Sequence, residues 1–309
     1  LASDNQSVTI NASGTTPATY SVDITAGTGM TLTSGTASQT GLTGAMTEVV
    51  YTAGTDYYFP VGYSVASVNG VNVTRIDFTK IKVSGTPTAN TTITLVGATA
   101  KTKEDTPTAT FAATGPDSGT LSGVDSGLKY SVDGGTTWND ITGETMEITG
   151  VTAEQDVKVY KPGDGTTTSD SKVQTIDITQ AAQPTGIDKA DCTTSKQNNG
   201  QIAGVDTTME YKLSTDSGWT TINANPLTGL TDGTYEVRVK ASGTVLASTA
   251  VTVTIGAHTC VAQGDWQRNG TGHWKLCACG AKVEEAAHSG GTATCTKKAE
   301  CTVCGAEYG

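Results

Sequence analysis

Histidine is absent from residues 1–257, and the whole 309-residue chain holds only three. Imidazole-based acid–base or nucleophilic catalysis therefore has no group to use over most of the length. Charged residues make up 16% and aromatic residues 6%, with three phenylalanines. Ala-Leu-Glu-Lys runs that build helices are nearly missing. No apolar run reaches the roughly 18 residues of a membrane-spanning helix. Positive charge is also short: 19 basic against 30 acidic residues give a net charge of −11 and a pI near 4.7. That balance excludes nucleic acid and anionic lipid as partners held by charge. No H-E-x-x-H, phosphate-cradling glycine loop or EF-hand loop occurs.

What the chain does have is glycine (37 residues), threonine and valine. Thr and Val favour a pleated, half-buried surface and Gly punctuates turns, so the expected class is all-β. GTLSGVDSGLKYSVDGGTTW at Gly119–Trp138 returns as GQIAGVDTTMEYKLSTDSGW at Gly200–Trp219. Gly123/Gly204, Asp125/Asp206, Tyr130/Tyr211 and Trp138/Trp219 share one offset of 81 residues. Period-2 alternation at Leu128–Val132, Met209–Leu213 and Tyr235–Val239, with runs at Val157–Tyr160, Gln174–Ile178 and Val251–Ile255, predicts immunoglobulin-like β-sandwiches. Polar or Pro-terminated stretches at Thr99–Thr106 and Gln180–Pro184 read as linkers. The expected organisation is a β-sandwich module at 1–98, Ig-like repeats at 107–179 and 184–256, and a Cys/His-rich module at 257–309, as beads on a string.

In the first module, strands are expected at Tyr20–Ile24, Met46–Tyr51 and Ile81–Val83. Asn69-Gly70 between the β-branched runs of Ser64–Ile76 predicts a hairpin on a type I′ turn, which needs positive φ at both central residues. Tyr57, Tyr58, Phe59 and Tyr63 bunch just before it. They read as a core layer with edge aromatics, and they are also the candidate binding surface.

The last 53 residues contain all three histidines and six of the seven cysteines, and their five basic and five acidic residues cancel. This segment has too little apolar material for its own core, so a covalent or metallic staple is expected. The candidate ligands are His258, Cys260, His273, Cys277, Cys279, His288, Cys295, Cys301 and Cys304. Thiolate and imidazole suit Zn²⁺, and C-x2-C-G at Cys301–Gly305 is a knuckle that offers two sulfurs to one ion. The spacing suggests His288, Cys295, Cys301 and Cys304 at one structural zinc, with the second drawn from the other five. Three disulfides are the alternative reading. Cys192, with no histidine nearby, reads as a small buried hydrophobe rather than a nucleophile.

Ser131–Trp138, SVDGGTTW, resembles the Asp-box of sialidases and related β proteins, a hairpin device without catalytic role; Ser214–Trp219 departs from it. YYFPVGYSVASVNGVNVTRIDFTKIKVSGTPTANTTITL, GVDTTMEYKLSTDSGWTTINANPLTGLTDGTYEVRVKAS and GGTATCTKKAECTVCGAEYG resemble repeat modules of large cell-surface proteins from clostridial Gram-positive gut bacteria. The resemblance implies tandem Ig-like sandwiches followed by a Cys-rich module, no activity of their own, and an extracellular place at the cell surface or wall. It further implies adhesion or binding of a host protein or glycoprotein, immunoglobulin included. The alternatives are a glycan-binding or spacer accessory region of a secreted glycoside hydrolase, with Trp138 and Trp219 as sugar platforms, or a passive stalk. The chain, opening on Leu1, reads as part of a longer surface polypeptide.

Overall fold

The computed structural model describes residues 14–309, and these contain strands and turns but no helix. Among the described residues, then, no helix is long and apolar enough to cross a membrane. The contacts divide the chain into two compact units. One holds the described residues up to Pro107 with Gly127–Lys129 and Val159–Gln174; the other holds Thr108–Ser126, Tyr130–Lys158 and the chain from Thr175 onwards.

The first sandwich comprises β1 (Tyr20–Thr25), β2 (Met30–Ser34), β3 (Ser38–Leu42), β4 (Val49–Ala53), β5 (Tyr57–Tyr58), β6 (Val71–Arg75), β7 (Lys80–Gly85) and β8 (Thr91–Thr94). One sheet runs β3-β1-β8, with β1 and β8 parallel, and the other runs β2-β4-β7-β6. Inward-facing Val22, Val49, Tyr51, Phe59, Ile81, Val83 and Ile93 close the core between them. Asn69 and Gly70 carry φ of +46° and +79°, the two positive values a type I′ turn requires. The arm before the turn forms only a bridge from Val68 to Val71, so the expected two-sided hairpin is a strand on one side alone. Met46 is buried, but pairing starts at Val49.

The linker stretches are paired, which departs from the expected free spacers. β9 (Thr99–Ala100) pairs with β5, and β10 (Thr102–Lys103) lies parallel to β17 (Thr168–Ser169). β19 (Thr179–Gln180) lies parallel to β26 (Val245–Leu246) in the same way.

The first repeat contributes β11 (Thr110–Ala113), β12 (Ser118–Ser122), β13 (Lys129–Ser131), β14 (Asn139–Asp140), β15 (Thr145–Thr149), β16 (Val157–Tyr160) and β18 (Gln174–Ile176). The second contributes β20 (Asp188–Ala190), β21 (Gly200–Ala203), β22 (Met209–Leu213), β23 (Thr220–Thr221), β24 (Leu227–Leu230), β25 (Gly233–Val239) and β27 (Val251–Ile255). Their sheet orders correspond strand for strand: β11-β12-β15 with β14-β13-β16-β18, and β20-β21-β24 with β23-β22-β25-β27. In immunoglobulin lettering these are A-B-E and C′-C-F-G, three strands facing four. The Tyr235 hydroxyl at the start of strand F donates to the Thr231 carbonyl at 3.1 Å, the tyrosine corner of Ig-like sandwiches. The 81-residue repeat is thus a repeat of turns and core: Gly123 and Gly204 take φ of +69° and +76° after strand B, and the valines that follow are buried.

The C-terminal module has a three-stranded antiparallel sheet, β28 (Ala262–Arg268), β29 (Gly272–Cys277) and β30 (Lys282–Ala287), with β29 central. A short pair, β31 (Ala299–Glu300) and β32 (Glu307–Tyr308), closes the chain.

Candidate metal centres

The three-stranded sheet has ligand-rich termini. At one end Cys260 precedes β28, Cys277 ends β29 and Cys279 precedes β30; at the other His273 opens β29 and His288 follows β30. The first end gathers His258, Cys260, Cys277 and Cys279, and the second gathers His273, His288, Cys301 and Cys304. Within each set the ligand atoms lie within 4.8 Å of one another.

The spacing can be tested against an ion. Metal–sulfur bonds of about 2.3 Å and metal–nitrogen bonds of about 2.0–2.1 Å, set tetrahedrally, separate two sulfurs by about 3.8 Å and sulfur from nitrogen by about 3.5 Å. In the first set Cys260 Sγ is 3.6 Å from Cys279 Sγ, and His258 Nε2 is 3.2 Å from Cys277 Sγ. In the second, His273 Nδ1 is 3.6 Å from Cys301 Sγ and His288 Nδ1 is 3.4 Å from Cys304 Sγ. All seven cysteines are free thiols, and a 3.6 Å sulfur separation is far beyond the roughly 2.05 Å of a disulfide. The residues present fit a tetrahedral ion at both ends.

Local backbone prepares the sulfurs. The Gly280 amide donates to the Cys277 carbonyl at 2.8 Å and the Gly305 amide to the Cys301 carbonyl at 2.9 Å, each glycine in the left-handed region that the tight turn demands. The amide of Ala281, opposed by burial but helped by Cys277 and Ser195, holds the Cys279 thiol down to about 6. Burial raises the Cys301 thiol, yet the Cys304, Ser289 and Val303 amides and His288 outweigh it and bring it to about 5. Cys260 donates to the Cys277 thiolate and is itself pushed up to about 12. Amides aimed at sulfur stabilise the thiolates a metal requires.

The second set is also fixed from behind. The His288 Nε2–H donates to the Asn269 carbonyl at 2.7 Å, which leaves Nδ1 free to ligate. His273 is buried with its ring edge-on to Trp266 at 4.8 Å, and Tyr308 stacks on His288 at 5.5 Å. Arg268 Nη1 donates to the Cys304 carbonyl at 2.6 Å.

Eight of the nine expected ligands are brought together; Cys295 is exposed and lies in neither set. His273 takes the place that spacing suggested for Cys295. The reason is strand geometry: His273 and Cys277 lie four residue steps apart along β29, about 13 Å, so the two cannot share an ion. Asn269, Trp266 and Tyr308 were not legible as site residues, because nothing in their local sequence marks a carbonyl or a ring as backing a ligand.

The aromatic candidates are packed rather than displayed. Phe59 is fully buried, with Tyr63 edge-on to it at 4.9 Å and the Tyr63 hydroxyl donating to the Val96 carbonyl. Tyr57 and Tyr58 are half-buried in β5, Tyr57 against Gly29. What opens to solvent is a cleft of about 400 Å³ in the first unit, lined by Tyr58, Pro60, Val61, Arg75, Phe78 and Thr166 among others. Val61 is 91% exposed there. Trp219 is no open platform: the Arg238 guanidinium sits 3.9 Å from its ring centre, and Arg238 Nε is 2.7 Å from Glu210 Oε1. Cys192 is buried in the third sandwich's core.

No family model matches the chain, and no curated protein matches it. Among solved structures it is similar to the chicken CNTN1 FN1-FN3 domains, at 10% identity over 74% of this chain and 98% of that one, with a TM-score of 0.21. It is also similar to a two-domain fibronectin type-III segment of chicken tenascin, at 13% identity over 49% of this chain and 98% of that one, with a TM-score of 0.20. Likenesses at these scores carry no argument; the fold rests on strand order and the tyrosine corner.

Proposed function

We propose that this chain is a non-enzymatic segment of a larger bacterial cell-surface protein, acting in adhesion to a host protein or glycoprotein, with a zinc-stapled module at its C-terminal end. The observation that supports it most is the pair of closed four-ligand sets at the two ends of one sheet. A catalytic zinc keeps a position open for water or substrate, whereas four protein ligands at tetrahedral spacing fill the shell. Zinc fits better than other ions because sulfur-rich, tetrahedral S/N sets are what it prefers. Small metal-stapled modules and tandem sandwiches suit an exterior that must persist outside the cell.

The partner surface we favour is the first unit's cleft beside Tyr58, Val61 and Phe78, because it is apolar and opens to solvent. Sugar stacking at Trp219 has less support, since Arg238 already covers one face of that ring. Surface plasmon resonance of the full chain against immobilised serum immunoglobulin and mucin tests the reading. Binding lost in Val61→Asp and Phe78→Asp, but kept in a Trp219→Phe variant, is the expected result; no binding to either surface would overturn it. Zinc content by elemental analysis, alongside a free-thiol assay, tests the staple: six oxidised tail cysteines without metal would end that part.

A further inference from the structure

The first ligand set is not confined to the C-terminal module. Its backing comes from the third sandwich, from the loop Thr193–Asn199 that joins β20 to β21. Gln197, at φ +53°, turns its side chain onto the backbone of the ligand His258: the His258 amide donates to Gln197 Oε1 at 2.5 Å, and Gln197 Nε2 donates to the His258 carbonyl at 2.7 Å. A glutamine in the left-handed region costs backbone energy and persists only where its surroundings hold it. The paired hydrogen bonds to His258 and the Gln197 amide's bond to the Thr194 carbonyl hold it here. Upstream, the Cys192 amide donates to the Gly256 carbonyl at 3.0 Å, and the Gly256 amide donates to Asp191 Oδ1 at 2.7 Å. The strand that leaves the sandwich is thereby tied to the Asp191–Cys192 segment that leads into the loop.

From this geometry we infer that Gln197 is a positioning residue for the first metal set, and that an ion there locks the C-terminal module onto the third sandwich. The inference rests on the metal reading above. Ligand order explains how the lock works. His258 and Cys260 sit on the chain leaving the sandwich, while Cys277 and Cys279 sit on the far side of the β28–β29 hairpin. An ion joining them ties the exit strand to the module, and Gln197 holds the His258 half from the sandwich side. The second set has no such partner, since its backing groups, Asn269, Trp266, Arg268 and Tyr308, all belong to the module itself. One end of the sheet is a joint and the other is an internal staple.

Coupling of this kind is reciprocal, so it can be read from both sides. Hydrogen exchange of the full zinc-loaded chain is compared with Cys277→Ser/Cys279→Ser and with Cys301→Ser/Cys304→Ser. The first pair should speed exchange at the Gln197 amide, which donates to the Thr194 carbonyl, by roughly 5–150-fold, the range of typical site-to-site coupling. The second pair should leave that amide unchanged, although both variants lose one zinc. From the other side, Gln197→Ala should weaken one of the two zinc sites by roughly 10–100-fold, as loss of an outer partner does, and leave the other untouched. Gln197→Glu, which keeps the acceptor for the His258 amide, should restore part of that loss, and cobalt substitution should show the thiolate charge-transfer band of one site alone moving. Two zincs per chain with loop exchange indifferent to the first set would overturn the joint and leave the metal reading standing. A chain that takes up no zinc would overturn both.

Discussion

His288 shows how a single residue is prepared to be a ligand. Its Nε2–H is spent on the Asn269 carbonyl, so the ring presents Nδ1 in the one tautomer that can bind. Cys295, exposed and without such surroundings, has the same sulfur and none of the positioning. Cys295→Ser should therefore leave two metal ions per chain by elemental analysis, whereas Cys304→Ser should leave one; a loss in Cys295→Ser would show that the ligand assignment is wrong. Arg238 is the matching case in the third sandwich. It is 9% exposed, pairs with Glu210 and covers Trp219, so its charge is neutralised and its plane stacked at once. Arg238→Ala leaves a largely buried carboxylate unpaired and should cost about 1–3 kcal/mol in urea unfolding of that sandwich. An unchanged midpoint would mean that the stack contributes nothing.

Between residues and sheets stand the turns, and Ser131–Trp138 is the best built of them. Asp133 accepts from the Thr137 hydroxyl and amide, from Ser131 and from the Thr136 amide, which together hold its carboxyl well below the usual carboxylate range. Because the folded pKa lies below the unfolded one, this stabilisation is complete above the ordinary carboxylate value near 4 and is lost as pH falls below it. Urea midpoints taken between about pH 5 and pH 2 should drop more steeply for the natural chain than for Asp133→Asn; parallel slopes would remove the turn from the account. Gly272 sits beside His273, and a Cβ there would lie 2.5 Å from the Ala286 carbonyl oxygen. Gly272→Ala should push β29 from β30 and release the second metal set first, visible as weaker binding of one zinc in a chelator competition. Much of this level was legible from pattern alone. β16 and β27 coincide with their alternating runs because one face of each is buried, so period 2 is imposed by packing. Asn69-Gly70 was legible because only the turn needs its φ signs. The arm before it was not, since Ser64–Val68 meets no partner strand beyond one bridge, and pairing partners are not a local property. The metal grouping failed at His273 for a related reason. Sequence spacing counts residues, but an extended strand turns four residues into a distance no ion can span.

For the molecule as a whole, stability comes from two different sources. The sandwiches hold themselves by cores in which Val22, Val49, Ile81, Val83, Ile202, Ile222 and Val237 are fully buried. The C-terminal module buries few large side chains; its buried residues include Cys277, Cys301, His273 and His288, all members of the two candidate metal sets. On the metal reading proposed above, folding of that module and metal binding are one equilibrium, and structural zinc at neutral pH supplies apparent free energies of about 10–16 kcal/mol in comparable small modules. Removing metal should act unevenly along the chain. With a strong chelator under reducing conditions, amides of β28–β32 should lose protection while those of β4, β7, β21 and β25 keep theirs, and a calorimetric scan should lose its metal-dependent transition without shifting the first sandwich's. Re-adding zinc should restore both signals. Uniform loss of protection across all the sandwiches would show that the metal module supports the whole chain; no loss anywhere would show that it folds without metal. The expected outcome lies between them because the two kinds of core share almost no side chains: one is filled with hydrocarbon, the other with sulfur and imidazole that need an ion between them.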